Sequence, residues 1–179
     1  MQQYITKNLR MTRDFGFFEQ GIDRISRQLP GMPQQRVVLN RLFFFVFKRL
    51  DDFYNQHLGV HGLNTSSFLA LVMLMGREDN RLNPSDLSNA LIASRTNVTR
   101  LTDELVAAGW VARNPSTADR RRIDLSLTES GRALLLGILP RMWTLLEQQW
   151  AGFDRDESAE LDRLLRKMLH GLSHIEEGL

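Results

Sequence analysis

Apolar residues recur every three or four positions through most of the chain, which is the period of an α-helix. The pattern predicts helices over residues 14–29, 35–57, 65–79 and 128–151, and a last helix that follows Asp154. The second of these has apolar residues on more than one face, so we expect it to be buried on several sides. Its aromatic residues are Phe43, Phe44, Phe45, Phe47, Phe53 and Tyr54.

A different order of elements occupies residues 83–127. Asn83 is placed to cap a short helix, with Pro84 at its first position, and Ser94 to cap a second helix that Gly109 ends. Two short strands follow, Trp110 to Arg113 and 122–127, and the second alternates apolar and polar residues. Residues 114–118 between them have the composition of a turn.

A short helix, a tight turn, a second helix and a two-stranded hairpin make a winged helix-turn-helix, a module that places its second helix in the DNA major groove. We therefore predict a mainly α fold with a small two-stranded wing. The winged helix-turn-helix is assigned to residues 64–131. Residues 34–63 and 132–179 form an α-helical dimerisation region, and 1–33 form an N-terminal helical extension, whose alternative roles are an arm on a partner or a direct contact to DNA.

The last predicted helix carries a coiled-coil seam, because its apolar residues are spaced alternately by four and three. These residues are Leu161, Leu165, Met168, Leu172 and Ile175. A seam needs a partner helix, which is either the 128–151 helix of the same chain or a second copy. We favour an intertwined homodimer.

Two short motifs follow the first wing strand. Asp119 and Arg121 form a D-x-R pair, and Leu127, Thr128 and Gly131 form L-T-x-x-G. In this order the motifs resemble the signature of the MarR family of bacterial transcription regulators, with most similarity to its EmrR/MprA branch of ligand-responsive repressors. The resemblance covers roughly residues 34–175. It implies a repressor of efflux or aromatic-compound genes, in which the D-x-R pair orders the wing and a wing arginine enters the minor groove.

The charge distribution agrees with a DNA partner. Residues 94–122 carry six basic and three acidic side chains, whereas 150–179 carry four basic and seven acidic ones. Arginine reads guanine and asparagine reads adenine with paired hydrogen bonds, so Arg95, Asn97 and Arg100 are our candidates for base contacts. The full set of predicted DNA-binding residues is Ser94, Arg95, Thr96, Asn97, Thr99, Arg100, Asp119, Arg120, Arg121 and Arg122. As a homodimer the protein would read a pseudo-palindromic double-stranded operator with half-sites ~34 Å apart.

The same resemblance implies a small aromatic, often anionic, effector that weakens DNA binding from a site between the dimerisation helices and the DNA module. The candidate ligand-binding residues are Phe43, Phe47, His61, Phe68, Trp110 and Trp150, with Arg41, Arg49, His57 or His61 as the cation. The alternative is that the apolar members of this set belong to the core. No cofactor is expected. All four histidines form H-x-x-x-H pairs, His57 with His61 and His170 with His174, but no third ligand is evident, so we predict no metal site.

Other function classes find little support. Nucleophile-elbow, zinc-protease, phosphate-loop and dinucleotide motifs are missing, so we predict no enzyme. The chain has no cysteine, which excludes disulfides and thiol sensing. No apolar run reaches ~18 residues and the N-terminus lacks an apolar signal segment, so we expect no membrane partner and a cytoplasmic location. An effector-independent architectural DNA-binding protein and a transcription activator remain as alternatives.

Overall fold

The computed structural model describes residues 15–116 and 122–177. Most of them are helical, as predicted. In chain order the elements are α1 (Gly16–Gln28), α2 (Gln34–Leu58), a 3₁₀ turn (Gly59–His61), α3 (Thr65–Met75), β1 (Arg81–Leu82), α4 (Pro84–Ala90), α5 (Arg95–Ala107), β2 (Val111–Pro115), β3 (Ile123–Leu127), α6 (Glu129–Trp150) and α7 (Arg155–Glu177).

Four helices begin at polar capping residues, of which Asn83 and Ser94 were predicted. The side chains of Asn64, Asn83, Ser94 and Thr128 each accept a hydrogen bond from the backbone N–H three residues later, at 2.9–3.3 Å. Each bond satisfies one of the amides that a helix leaves unpaired in its first turn. The start of α7 has a reciprocal pair, in which the side chains of Asp154 and Glu157 accept each other's backbone N–H at 2.8 and 3.0 Å.

The predicted two-stranded wing is the hairpin of β2 and β3, and the sheet also contains a third strand that was not predicted. β1 joins the hairpin on its other side, in the antiparallel order β1-β3-β2, with Arg81 opposite Ser126 and Leu82 opposite Leu125. A strand of two residues is too short to show an alternating pattern, which is why the sequence did not reveal it. β2 also continues through Asn114 to Pro115, which lies opposite Ile123, so the predicted turn begins later than expected.

The core extends from Leu58 at the end of α2 to Leu145 on α6. Within it α3 packs on α6 and on β3, α4 packs on α5 and on β3, and α5 packs on β2. Helix α3 ends at Met75, four residues earlier than predicted. The most fully buried large side chains are Leu58, Leu71, Leu74, Leu87, Val98, Leu105, Leu125 and Leu135.

Helix α2 is mostly exposed within one chain, so the burial expected on several of its sides is not supplied by its own chain. Leu58 at its end is its only buried residue, whereas Phe43, Phe44 and Phe47 are 41%, 55% and 63% exposed. The α7 seam, formed by the five residues named above, is likewise uncovered: Leu165, Met168, Leu172 and Ile175 are exposed, so α6 of the same chain does not cover it. The apolar side chains of α2 and α7 have the predicted helical spacing, but a single chain leaves most of them exposed.

Helix α1 packs on α2 of its own chain. The rings of Phe15 and Phe18 lie 5.4 and 6.0 Å from the ring of Phe45, and the guanidinium of Arg41 lies 5.0 Å from the Phe18 ring. Ile22 is buried, whereas Ile25 is half exposed. Among the described residues, no single helix is long and apolar enough to cross a membrane; the α2 and α3 segments meet the length and composition test only as a pair bent by 75°.

Candidate DNA-binding site

Helix α5 has one buried and one exposed face. Val98, Leu101 and Leu105 hold it in the core, and Ser94 caps its first turn. Arg95, Thr96 and Asn97 are exposed and have no hydrogen bond or ion pair from their side chains to any residue that the structure describes. Because they stand at the positive end of a capped helix, these side chains are available to a negatively charged partner such as a phosphate backbone.

Three other predicted contact residues already have partners inside the helix. The Arg100 guanidinium donates to the carboxylate of Glu104 at 2.5 Å, and the Thr99 hydroxyl donates to the carbonyl of Arg95 at 2.9 Å. The Ser94 hydroxyl accepts the capping bond but retains its own proton for donation. An exposed i,i+4 ion pair contributes only about 0.3–0.5 kcal/mol, so Arg100 can exchange Glu104 for DNA at little cost.

The C-terminal end of α5 is fixed by glycine and by the L-T-x-x-G motif. Gly109 has φ +76°, and the N–H groups of Gly109 and Trp110 donate back to the carbonyls of Val106 and Leu105. The hydroxyls of Thr128 and Ser130 both donate to the Gly109 carbonyl at 2.7 Å. The motif therefore ties the end of α5 to the start of α6.

A second connection joins α5 to the wing. The guanidinium of Arg113 on β2 donates to the carboxylate of Asp103 at 2.6 Å and to the hydroxyl of Thr102 at 3.1 Å. Sequence reasoning missed this contact, since it had used Arg113 and Asp103 only to count charge. Partners ten and eleven residues apart on different elements form no periodic pattern, so no local signal would have identified them.

The wing is described at its base only. Asp119, Arg120 and Arg121 lie outside the described residues. Arg122 is exposed at the start of β3, and its carbonyl accepts the N–H of Ser116 at 2.9 Å, which closes the last described pair of the hairpin. The D-x-R pair and the wing arginines therefore remain predictions.

The candidate effector residues do not form one aromatic cluster in the single chain. Phe68 and Trp110 pack against the core, Phe43 and Phe47 are exposed on α2, His61 is exposed in the 3₁₀ turn, and Trp150 contacts Phe153. Within the described part of the chain, no ring–ring contact joins two of the six.

The candidate cations for an anionic effector have varied surroundings. Arg41 is engaged with the Phe18 ring, and the Nδ1 atom of His57 lies 2.8 Å from the carbonyl of Phe53. Arg49 and His61 are exposed. Within residues 15–116 and 122–177 no group of three or more histidines and carboxylates is placed to hold a metal ion.

A capped helix that presents arginine, threonine and asparagine, tied to a small sheet with a basic edge, defines the class: a winged helix-turn-helix DNA-binding protein. The family model described as MarR family matches residues 61–122. The transcriptional repressor MprA of Escherichia coli strain K12 is 38% identical over 145 residues, which cover 81% of this chain and 82% of MprA. The chain belongs to the MarR family, it is a DNA-binding transcription regulator, and it is not an enzyme.

Solved structures support the same fold. A mutant MarR from E. coli in complex with operator DNA is 27% identical, has a TM-score of 0.69, and the match covers 77% of this chain and 98% of that one. Bordetella bronchiseptica BpsR, solved in a study of how 6-hydroxynicotinic acid regulates its DNA binding, is 24% identical, has a TM-score of 0.65, and the match covers 72% and 91%. The predicted family, the predicted branch and the winged helix fold are thus confirmed.

Proposed function

We propose that this protein is a repressor that binds a pseudo-palindromic operator as a homodimer and is released by a small aromatic compound. The DNA-binding part rests on the exposed first turn of α5, where the side chains of Arg95, Thr96 and Asn97 have no hydrogen-bond or ion-pair partner among the described residues. Arg95, Asn97 and Arg100 are the proposed base readers, and Ser94, Thr96 and Thr99 the phosphate contacts. Asp119 to Arg122 supply the wing contact, with Arg121 as the minor-groove residue.

The homodimer is proposed because the chain exposes more apolar side chains than an isolated globular domain needs to. They are concentrated on α2, α6 and α7, the three long helices that lie outside the predicted winged helix-turn-helix. Among them are Leu39, Phe43, Phe44, Phe47, Leu136, Trp143, Leu146, Leu165, Met168, Leu169 and Leu172. A second copy that pairs these helices would also set two α5 helices at the ~34 Å spacing of successive major grooves.

The effector part rests on family relatives and on the residues between α2 and the DNA module. BpsR shows that a small anionic aromatic ring can regulate DNA binding in a protein of this fold. For this chain we propose an aromatic, often anionic, compound that contacts Phe43, Phe47, His61, Phe68, Trp110 and Trp150, and target genes for efflux or aromatic-compound metabolism. The ligand acts by favouring dimers whose α5 helices are misplaced, and it lowers DNA affinity only by its preference for that state.

The test is a fluorescence-anisotropy titration of DNA from upstream of the protein's own gene, in moderate salt with excess competitor DNA. We expect tight, competitor-resistant binding that one member of a panel of aromatic carboxylates and phenols releases. Asn97→Ala should weaken specific binding by about 1–3 kcal/mol, roughly 5- to 150-fold. Gln148→Ala, which removes an exposed amide on α6, serves as the control and should bind as the unmodified protein does.

Two alternative functions make different predictions in the same experiment. An architectural protein would lose the probe to competitor DNA, because its specific and non-specific affinities are similar. An activator would bind as tightly as a repressor, and a reporter gene behind the operator distinguishes the two by the sign of its response to deletion of the regulator.

A further inference from the structure

The exposed face of α5 divides into two rows of side chains. Successive residues are rotated by about 100° around a helix. Asp103 therefore lies on one side, where Arg113 of β2 donates to its carboxylate at 2.6 Å. Asn97, Arg100 and Glu104 follow one another at intervals of three and four residues and form a row on the other side, which we call the outer row. In the part of the chain that the structure describes, no hydrogen bond or ion pair joins the outer row to the wing.

Glu104 is the acidic member of the outer row, and its partner is Arg100. The carboxylate of Glu104 accepts a hydrogen bond from Nη1 of Arg100 at 2.5 Å, and the two side chains are 51% and 69% exposed. A guanidinium has five N–H donors, of which this bond uses one, whereas a paired contact to guanine needs two. Arg100 therefore has enough donors to read a guanine while Glu104 remains bound.

Pairing with Glu104 changes which DNA groups attract Arg100. Phosphates attract arginine through its charge, and such contacts supply most of non-specific binding. A carboxylate bound to the guanidinium offsets that charge and also repels the phosphate itself. Guanine presents two uncharged acceptors, O6 and N7, and its recognition depends mainly on the geometry of two hydrogen bonds. Glu104 should therefore weaken a phosphate contact of Arg100 more than a guanine contact.

We propose that Glu104 is a specificity-determining residue that positions Arg100 for guanine and disfavours its contact with phosphates. This inference rests on the proposed role of Arg100 as a base reader. Arg95 differs, because it lies in the exposed first turn and its side chain has no hydrogen bond or ion pair to any described residue. Arg95 can contact a base or a phosphate, so the restriction set by Glu104 acts through Arg100 alone.

Glu104→Gln, which keeps the length of the side chain but removes its charge, tests the proposal in the full-length protein. Anisotropy titrations compare DNA from upstream of the protein's own gene with a scrambled sequence of the same length and composition. We expect affinity for the scrambled DNA to rise about threefold or more and operator affinity to stay within about twofold, so that the ratio of the two falls. The slope of log K against log salt for the scrambled DNA should steepen by about 0.9, because Arg100 becomes a phosphate contact.

Two further variants separate this role from a general effect of charge. Asp124→Asn removes the same charge from β3, where Asp124 has no ion pair with a described residue, and it should shift both affinities equally. In a protein that already carries Arg100→Ala, Glu104→Gln should leave the ratio of the two affinities unchanged. An equal rise of both affinities in Glu104→Gln alone, or the same loss of preference when Arg100 is absent, would overturn the inference.

The same titrations distinguish failure of this inference from failure of the proposed function. If Arg100→Ala keeps the full preference for the operator, Arg100 is not a base reader and Glu104 does not act through it, although the protein still reads its operator. An unmodified protein that binds both DNAs equally would contradict the proposed function itself and leave no specificity for Glu104 to set. Far-UV circular dichroism checks that α5 remains helical in each variant, as expected for substitutions of exposed side chains.

Discussion

Gly131, in the first turn of α6, lies very close to the backbone of Trp110, which follows α5. A Cβ atom at this position would lie 2.2 Å from the carbonyl oxygen of Trp110 and 3.0 Å from a methyl group of Leu127. That carbonyl also accepts the N–H of Thr128, so it has little freedom to move. This contact gives the final glycine of the L-T-x-x-G motif a physical reason: only glycine lets α6 start beside the end of α5.

Gly131→Ala is therefore expected to destabilise the protein by at least about 1–3 kcal/mol, the usual cost of overpacking, because backbone rather than a flexible side chain must yield. Urea denaturation measures the change. Gly137→Ala on the same helix is the matched control: its Cβ would meet nothing within 4 Å, so it should stabilise by about 0.5–1 kcal/mol. Equal effects of the two substitutions would refute the steric explanation.

Ile92 occupies a backbone conformation that β-branched residues avoid. It lies in the turn between α4 and α5 with φ +50°, and its side chain is 95% exposed, so no burial offsets the strain. We expect Ile92→Gly to stabilise the protein by about 0.5–1 kcal/mol, as strain relief of about 1–2 kcal/mol exceeds the entropy cost of glycine. Ile92→Val keeps the branched side chain and should show no gain in the same urea titration.

At the scale of elements, the link between the wing and α5 depends on Arg113. Its guanidinium donates to Thr102 and Asp103 on α5. Because Arg113 and Asp103 are both partly exposed, their ion pair contributes at most about 1 kcal/mol to folding. Its larger expected effect is on geometry, because in the proposed complex the wing and α5 contact the same DNA segment.

Arg113→Ala is expected to lower operator affinity about five- to tenfold, equivalent to ~1–1.4 kcal/mol, with little change in the urea midpoint. Anisotropy with the operator probe measures it. Arg163→Ala removes a similar exposed ion pair, with Glu160 on α7, and should leave DNA affinity unchanged. If both arginine variants weaken binding equally, general loss of positive charge rather than the wing contact explains the result.

Features that depend on residues close together in the sequence were predicted, whereas features that depend on residues far apart in the sequence were not. The caps at Asn83 and Ser94 act within one turn, and both were predicted from residue type and position. The pairing of β1 with β3 and the contact of Arg113 with Asp103 form only in the folded chain, so no local sequence pattern predicts them. The exposed turn of α5 was predicted, but the ion pair of Arg100 with Glu104 was not.

At the scale of the whole molecule, the apolar face of α7 determines the assembly we propose. Leu165, Met168 and Leu172 are 42–47% exposed in one chain and follow the alternating four and three spacing of a coiled-coil seam. The neighbouring positions carry i,i+3 and i,i+4 ion pairs such as Arg166 with Asp162, which keep the other face in water. A helix divided in this way is expected to bury its seam against a second copy.

Leu172→Asp is expected to shift the protein from dimer to monomer, because a carboxylate in an apolar interface loses its hydration without gaining a partner. Sedimentation velocity across a concentration series measures the dissociation constant, which should rise at least a hundredfold, about 2.7 kcal/mol. Ser173→Asp adds the same charge one position away from the seam and should leave the dimer intact. Since two half-sites are read only by a dimer, Leu172→Asp should also lose specific operator binding; a monomer that binds the full operator as tightly as the dimer would contradict the proposed mode of recognition.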